Sequence, residues 1–81
     1  MMSQESAKDL IESMKPLQEA RKRFPCPRCG YDRMDVQHPQ HNALSRYADV
    51  YICNECGTNE AMMDFVGAHL PLNLWSLAIS F

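Results

Sequence analysis

The spacing of the apolar positions changes along the chain, and the changes mark the elements. Ala7, Leu10, Ile11, Met14 and Leu17 recur at intervals of three and four, which places them on one face of an α-helix. The stretch from Ser3 to Arg23 is therefore predicted helical. Glu5 and Asp9 lead it and Arg21, Lys22 and Arg23 close it, the charge order the helix dipole favours. Ser6-Ala7-Lys8-Asp9 resembles a capping box. Pro16 has no amide to offer Glu12 and its ring crowds that turn. The helix is predicted to break there, into pieces near 6–14 and 16–23. Its apolar face either packs on the rest of the chain or is offered to a partner.

Farther along, the period shortens. Tyr31, Arg33 and Asp35 alternate with Asp32, Met34 and Val36, which reads as a strand over 31–36. Gln37 to Asn42 is a turn around Pro39. Ala43 to Asp49 fits either a helical turn or an irregular loop tip. Asp49-Val50-Tyr51-Ile52 is a second strand, with the β-branched and aromatic residues that strands favour. Strand, loop and strand make a long hairpin. Beyond it, Ala61, Met62, Phe65 and Val66 give a short helix over 59–66, with Thr58 as N-cap, Glu60 in the first turn and Gly67 as its stop. Met62 and Met63 suit core packing better than a peptide groove. Trp75, Leu77, Ile79 and Phe81 alternate with small residues and favour a strand. A short helix is the rival, because Leu74, Leu77 and Ala78 also fit helical spacing. An apolar terminal strand left at an edge would invite pairing with a second chain.

Cysteine changes this picture most. The chain has four, in Pro25-Cys26-Pro27-Arg28-Cys29-Gly30 and Ile52-Cys53-Asn54-Glu55-Cys56-Gly57. Two residues between cysteines let one tight turn aim both sulfurs at a point. The glycine after each pair is expected to supply a positive φ on the way out, and Pro25 and Pro27 stiffen the first turn. Cys26, Cys29, Cys53 and Cys56 are read as the four ligands of one structural zinc ion. Disulfides, a redox pair and an iron centre are the alternatives. Disulfides fit poorly, because residues 1–15 lack the apolar core of a signal peptide and a cytoplasmic location is expected. Four thiolates also close the coordination sphere, so the metal is expected to hold the fold and perform no reaction. His38 and His41 lie mid-loop and are read as surface or loop-anchoring residues.

At 81 residues the chain has a limited core, for which a metal is a common remedy. No stretch is long and apolar enough to span a membrane. The net charge of −2 is unevenly spread: residues 1–14 carry −2, residues 15–46 carry +4, and the remainder −4. The basic charge gathers near the first cysteine pair. It nominates Arg21, Lys22, Arg23, Arg28, Arg33 and Arg46 as phosphate contacts and Tyr47 as a base-stacking residue. The distribution is not the uniformly basic footprint of a strong nucleic-acid binder.

The knuckles C-P-R-C-G and C-N-E-C-G, with strands leading from and toward them, resemble the zinc-ribbon class over residues 24–57. The longer pattern, including H-N-A-L-S-R-Y-A-D-V-Y-I-C-N-E-C-G-T-N-E-A and L-P-L-N-L-W, is similar to small bacterial proteins carried on mobile elements. The resemblance implies a small α+β fold: a β-hairpin bearing two zinc knuckles, with an optional third strand from the C-terminus. An N-terminal helical segment (1–23) precedes this zinc-ribbon domain (24–81), and a short helix follows the second knuckle. A treble-clef arrangement, in which the second knuckle opens a helix, is the alternative. Two functions are expected to compete: a non-enzymatic zinc module for protein–protein interaction, including homodimerisation, and a nucleic-acid-binding adaptor using residues 15–46. The chain offers no nucleophile–base set, phosphate-binding glycine loop or open metal site, and has little room for a substrate cleft, so neither an enzyme nor a small-molecule substrate is expected.

Overall fold

The computed structural model describes residues 2–80; Phe81, the end of the predicted terminal strand, lies outside the described residues. Helix α1 spans Gln4–Glu12 and α2 spans Lys15–Glu19. The break falls where Pro16 requires it. Pro16 sits in the first turn of α2, where no helical acceptor is waiting for its missing amide. The cap of α1 is Ser3, one turn earlier than the predicted box: its hydroxyl accepts from the Ser6 amide at 3.1 Å. Helix α2 stops before the basic run. Arg21 turns left-handed at φ 60, and the amides of Arg21 and Lys22 reach the carbonyls of Gln18 and Leu17 at 3.0 and 3.1 Å. This is a Schellman ending with arginine in the position glycine usually takes.

No strand forms at 31–36. The Asp35 amide is occupied by the Asn42 side chain at 2.8 Å, and the Arg33 amide by the Tyr31 carbonyl at 2.9 Å. The hairpin is shorter and later than predicted. Strand β1, Ala43–Leu44, pairs antiparallel with β2, Tyr51–Ile52, placing Ala43 opposite Ile52 and Leu44 opposite Tyr51. The Ser45 amide adds a bond to Val50 at 3.0 Å. Gln18 supplies what a third strand would. Its buried side chain donates to the Tyr51 carbonyl at 2.9 Å and accepts from the Tyr51 amide at 3.0 Å.

Helix α3 runs Asn54–Phe65 with Cys53 as its N-cap. Thr58, expected as the cap, lies inside the helix and bonds back to the Asn54 carbonyl at 3.1 Å. Gly67 is the stop, at φ 76, with its amide on Asp64 at 3.0 Å and that of Ala68 on Met63 at 2.8 Å. A 3-10 turn at Leu72–Leu74 then leads into α4, Ser76–Ser80. The predicted C-terminal strand is therefore a helix. Its first amides, from Ser76 and Leu77, donate to the carbonyls of Arg28 and Pro27 at 3.1 and 3.0 Å, satisfying donors a helix start leaves free. Trp75 and Ala78 point inward while Ile79 is 66% exposed, an arrangement a strand could not give.

One core unites these pieces: Ala7 and Ile11 of α1, Val50 and Ile52 of the hairpin, Leu72, Trp75 and Ala78, and three of the cysteines. Helix α1 packs against the Leu72–Leu74 turn and α4. Gln4 fastens this contact by accepting from the Leu72 amide at 2.9 Å and donating to Asn73 at 2.7 Å. The apolar stripe of the N-terminal helix is thus largely used inside the molecule. No helix is long and apolar enough to cross a membrane among the described residues.

The two glycines after the cysteine pairs do different work. Gly30 has the expected positive φ of 80, and a Cβ there would lie 2.4 Å from the Ser76 hydroxyl oxygen. Gly57 is helical and instead lets α3 touch β1: a Cβ on it would lie 2.4 Å from the Cβ of Ala43. Gly57→Ala should therefore invert the usual helix rule. Alanine inside a helix ordinarily stabilises by about 0.5–1 kcal/mol, but here the clash with a short side chain should destabilise by about 1–3 kcal/mol. Chemical denaturation of the metal-loaded protein measures the sign; a gain in stability would refute the close packing.

Candidate metal centre

The first cysteine pair sits on a self-contained turn. The Gly30 amide bonds the Cys26 carbonyl at 2.8 Å and the Cys26 amide bonds the Tyr31 carbonyl at 2.9 Å. The second pair belongs to the start of α3. Cys53 leaves β2 in extended conformation and caps the helix, its sulfur accepting from the Cys56 amide at 3.4 Å. The hairpin thus delivers the second knuckle alone, and the first stands apart from any strand. This corrects the picture of one hairpin carrying a knuckle at each end, and agrees with the alternative in which the second knuckle opens a helix.

The four sulfurs converge, all within 4.8 Å of one another. Cys26–Cys56 and Cys29–Cys53 are each 3.8 Å apart. A disulfide requires about 2.05 Å, and all four cysteines are free. A tetrahedron of sulfurs about 2.3 Å from a central ion has edges of about 3.8 Å, so the spacing fits a metal. Cys26, Cys29, Cys53 and Cys56 lie together in a way that can hold one ion. Cys26, Cys53 and Cys56 are buried and Cys29 is half-buried. The Cys53 amide also points at the Cys26 sulfur, at 3.3 Å, the kind of outer hydrogen bond that fixes a ligand and spreads its charge.

The thiols of the site are not equally easy to ionise. Burial raises the Cys26 thiol above its ordinary value, against hydrogen bonds from nearby backbone amides. Burial also pushes the Cys56 thiol up strongly. Burial acts on Cys29 in the same direction, but hydrogen bonds from the Tyr31 backbone and the other three cysteines outweigh it and leave that thiol lowered. The metal-free cluster is therefore at least partly protonated, and loading it releases protons.

Around the sulfurs lies a polar brace that sequence patterning did not reveal. Arg28, between the first two cysteines, is buried. Its guanidinium donates to Asn59 at 2.7 Å and approaches the Met63 sulfur at 3.5 Å, and its Nε lies 3.8 Å from the Glu60 carboxylate. Glu60, 2% exposed, accepts from the Ser45 hydroxyl at 2.7 Å and the Arg46 amide at 2.9 Å. One carboxylate thus ties the first knuckle, the hairpin tip and α3 together. The available signal was positional: once the helix begins at Cys53, residues 53, 56 and 60 share a face.

The nominated phosphate contacts scatter. Arg28 is buried, so it is unavailable to a phosphate. Arg23 pairs with Asp32, Arg33 with Glu55 and Arg46 with Asp64. Tyr47 stacks on His69 with centroids 5.1 Å apart and bonds Asp64 at 3.3 Å. Arg21 and Lys22 are exposed beyond α2 and form no ion pair among the described residues. A second cluster, Asp35 with His38 and His41, also brings possible ligand atoms within 4.8 Å of one another. The His38 amide, helped by the His41 ring, holds the Asp35 carboxyl below its ordinary range against desolvation.

Comparisons with protein-family models, with curated proteins and with solved structures returned no match.

The brace can be tested apart from the metal. Glu60→Ala strands a buried guanidinium and frees two donors, so it should cost about 3–5 kcal/mol, measured by denaturant unfolding at saturating metal. A loss below about 1 kcal/mol would show that the carboxylate does not tie these elements together.

Proposed function

We propose that the chain is a non-enzymatic structural-zinc module that mediates protein–protein interaction, with one zinc held by Cys26, Cys29, Cys53 and Cys56. Four thiolates at tetrahedral spacing suit zinc and leave no open position for a substrate. The zinc-ribbon resemblance is kept at the level of the knuckles; the order knuckle, hairpin, helix is the treble-clef form of such a module.

The observation that carries the interaction reading is the outer face of α3. Met62, Phe65 and Val66 are 66%, 91% and 74% exposed, at intervals of three and four on the helix that also presents two of the cysteines. An exposed apolar strip of this kind marks a contact surface. Of the surfaces expected from the sequence, Ile11 and Trp75 are fully buried, while Leu17 and Ile79 stay exposed. Self-association through this face is the simplest form. The nucleic-acid alternative rests on Arg21 and Lys22, with Arg28 withdrawn into the interior and the other arginines in surface ion pairs.

Native mass spectrometry with and without chelator should show one zinc per chain, distinguished from iron by mass, and circular dichroism should show loss of the fold on its removal. A folded, metal-free protein would refute the zinc reading. Sedimentation equilibrium should show concentration-dependent dimers of the zinc-loaded chain, with the dissociation constant weakened at least tenfold by Phe65→Glu. A strict monomer would remove the homodimer form, and salt-sensitive binding of DNA or RNA would favour the alternative.

A further inference from the structure

The loop between the first knuckle and the hairpin is built more firmly than its polar sequence suggests. Asn42 is buried, and its side chain accepts from the Asp35 amide at 2.8 Å and donates to the carbonyls of Asp35 at 2.9 Å and Pro39 at 3.0 Å. Pro39 is buried too and starts a 3-10 turn over Pro39–His41. In a 3-10 turn, side chains three residues apart eclipse. His38 and His41 accordingly stack, with ring centroids 4.8 Å apart and planes at 17°. Asp35 faces both: its carboxylate oxygens lie 3.7 Å from His38 Nδ1 and 3.3 Å from His41 Nδ1, and one accepts from the His38 amide at 3.0 Å.

We propose that Asp35, His38 and His41 form a second metal site, separate from the four cysteines, that binds a borderline divalent cation such as zinc through two imidazoles and one carboxylate. Ligands bound at about 2.1 Å and separated by tetrahedral or octahedral angles lie about 3.0–3.4 Å apart. His41 Nδ1 lies 3.3 Å from one carboxylate oxygen, within this range, and His38 Nδ1 lies 3.7 Å from the other; to aim both in-plane lone pairs at one ion the two rings turn out of their stack. Imidazole with carboxylate suits zinc, copper, nickel and ferrous iron and disfavours magnesium and calcium, which prefer all-oxygen shells. The site is accessible, with the Asp35, His38 and His41 side chains 39%, 58% and 61% exposed. Three protein ligands leave coordination positions for water or for a donor group from outside the chain, in contrast to the closed thiolate centre. The site is also independent of the proposed interaction face on α3.

The test uses the full chain already carrying one zinc and titrates it with zinc alone, by calorimetry and by histidine-resolved NMR. A second equivalent should bind more weakly than the first, shifting the ring resonances of His38 and His41 and leaving those of His69 in place. His41→Ala and His38→Ala should each weaken this second event at least tenfold, while His69→Ala leaves it unchanged. Both histidines are exposed, so these variants should keep the fold and the first zinc; Asp35→Asn, which preserves the bond from the His38 amide, should weaken binding in the same direction. Saturation at one zinc per chain would overturn the proposal. So would a second equivalent that survives His38→Ala and His41→Ala or that shifts His69 instead.

Discussion

Four sulfur atoms brought to one point impose the main constraint on this small chain. To bring them there, the proline-stiffened turn from Cys26 to Gly30 must face the capping end of a helix, and a hairpin must feed that helix at a fixed angle. Three of the cysteines belong to the buried core with Ile11, Ile52 and Trp75, and Cys29 packs against it. Burial raises the Cys26 and Cys56 thiols, while hydrogen bonds lower that of Cys29, so part of the cluster resists ionisation until a cation is present. The same burial that makes the site stable once filled makes it costly to ionise empty.

The Arg28–Glu60 brace extends this geometry outward. A buried ion pair contributes little net stability relative to an apolar pair, because both charges lose water. Its effect here is directional: Glu60 accepts from two groups of the hairpin tip while facing the guanidinium from the first knuckle. Elements that share no regular hydrogen-bond ladder are thereby held in one orientation. Gln18 makes a similar connection on the other side of β2, and the α4 amides make another onto the first knuckle. In a protein whose sheet has two residues per strand, side-chain and end-of-helix hydrogen bonds take over much of what a larger sheet would do.

The legible parts of the fold were those governed by local chemistry. Pro16 placed the break between α1 and α2, Gly67 placed the end of α3, and the cysteine spacing picked out the four residues that lie together in a way that can hold an ion. Errors arose where an element's identity depended on a distant partner. Residues 31–36 alternate as a strand would, but Asn42 takes the Asp35 amide and no strand among the described residues pairs with them. Residues 75–80 alternate equally well, yet the carbonyls of Pro27 and Arg28 meet the amides of a helix. Arg28 looked like surface charge because Glu60, its counterpart, lies more than thirty positions away. Asp35 read as part of a strand and His38 and His41 as loop residues, whereas the Pro39–His41 turn stacks the two rings beside the carboxylate.

The sequence by itself determined the donor set, the local breaks and the apolar character of the core, because these depend on residue type and short-range spacing. Only the tertiary structure decided that the second knuckle begins a helix, that the basic segment is partly buried and otherwise largely paired, and that an apolar strip of α3 remains uncovered. Those outcomes follow from which segments compete for the same backbone donors and the same buried volume. That competition is settled by three-dimensional neighbours, which composition and periodicity do not encode.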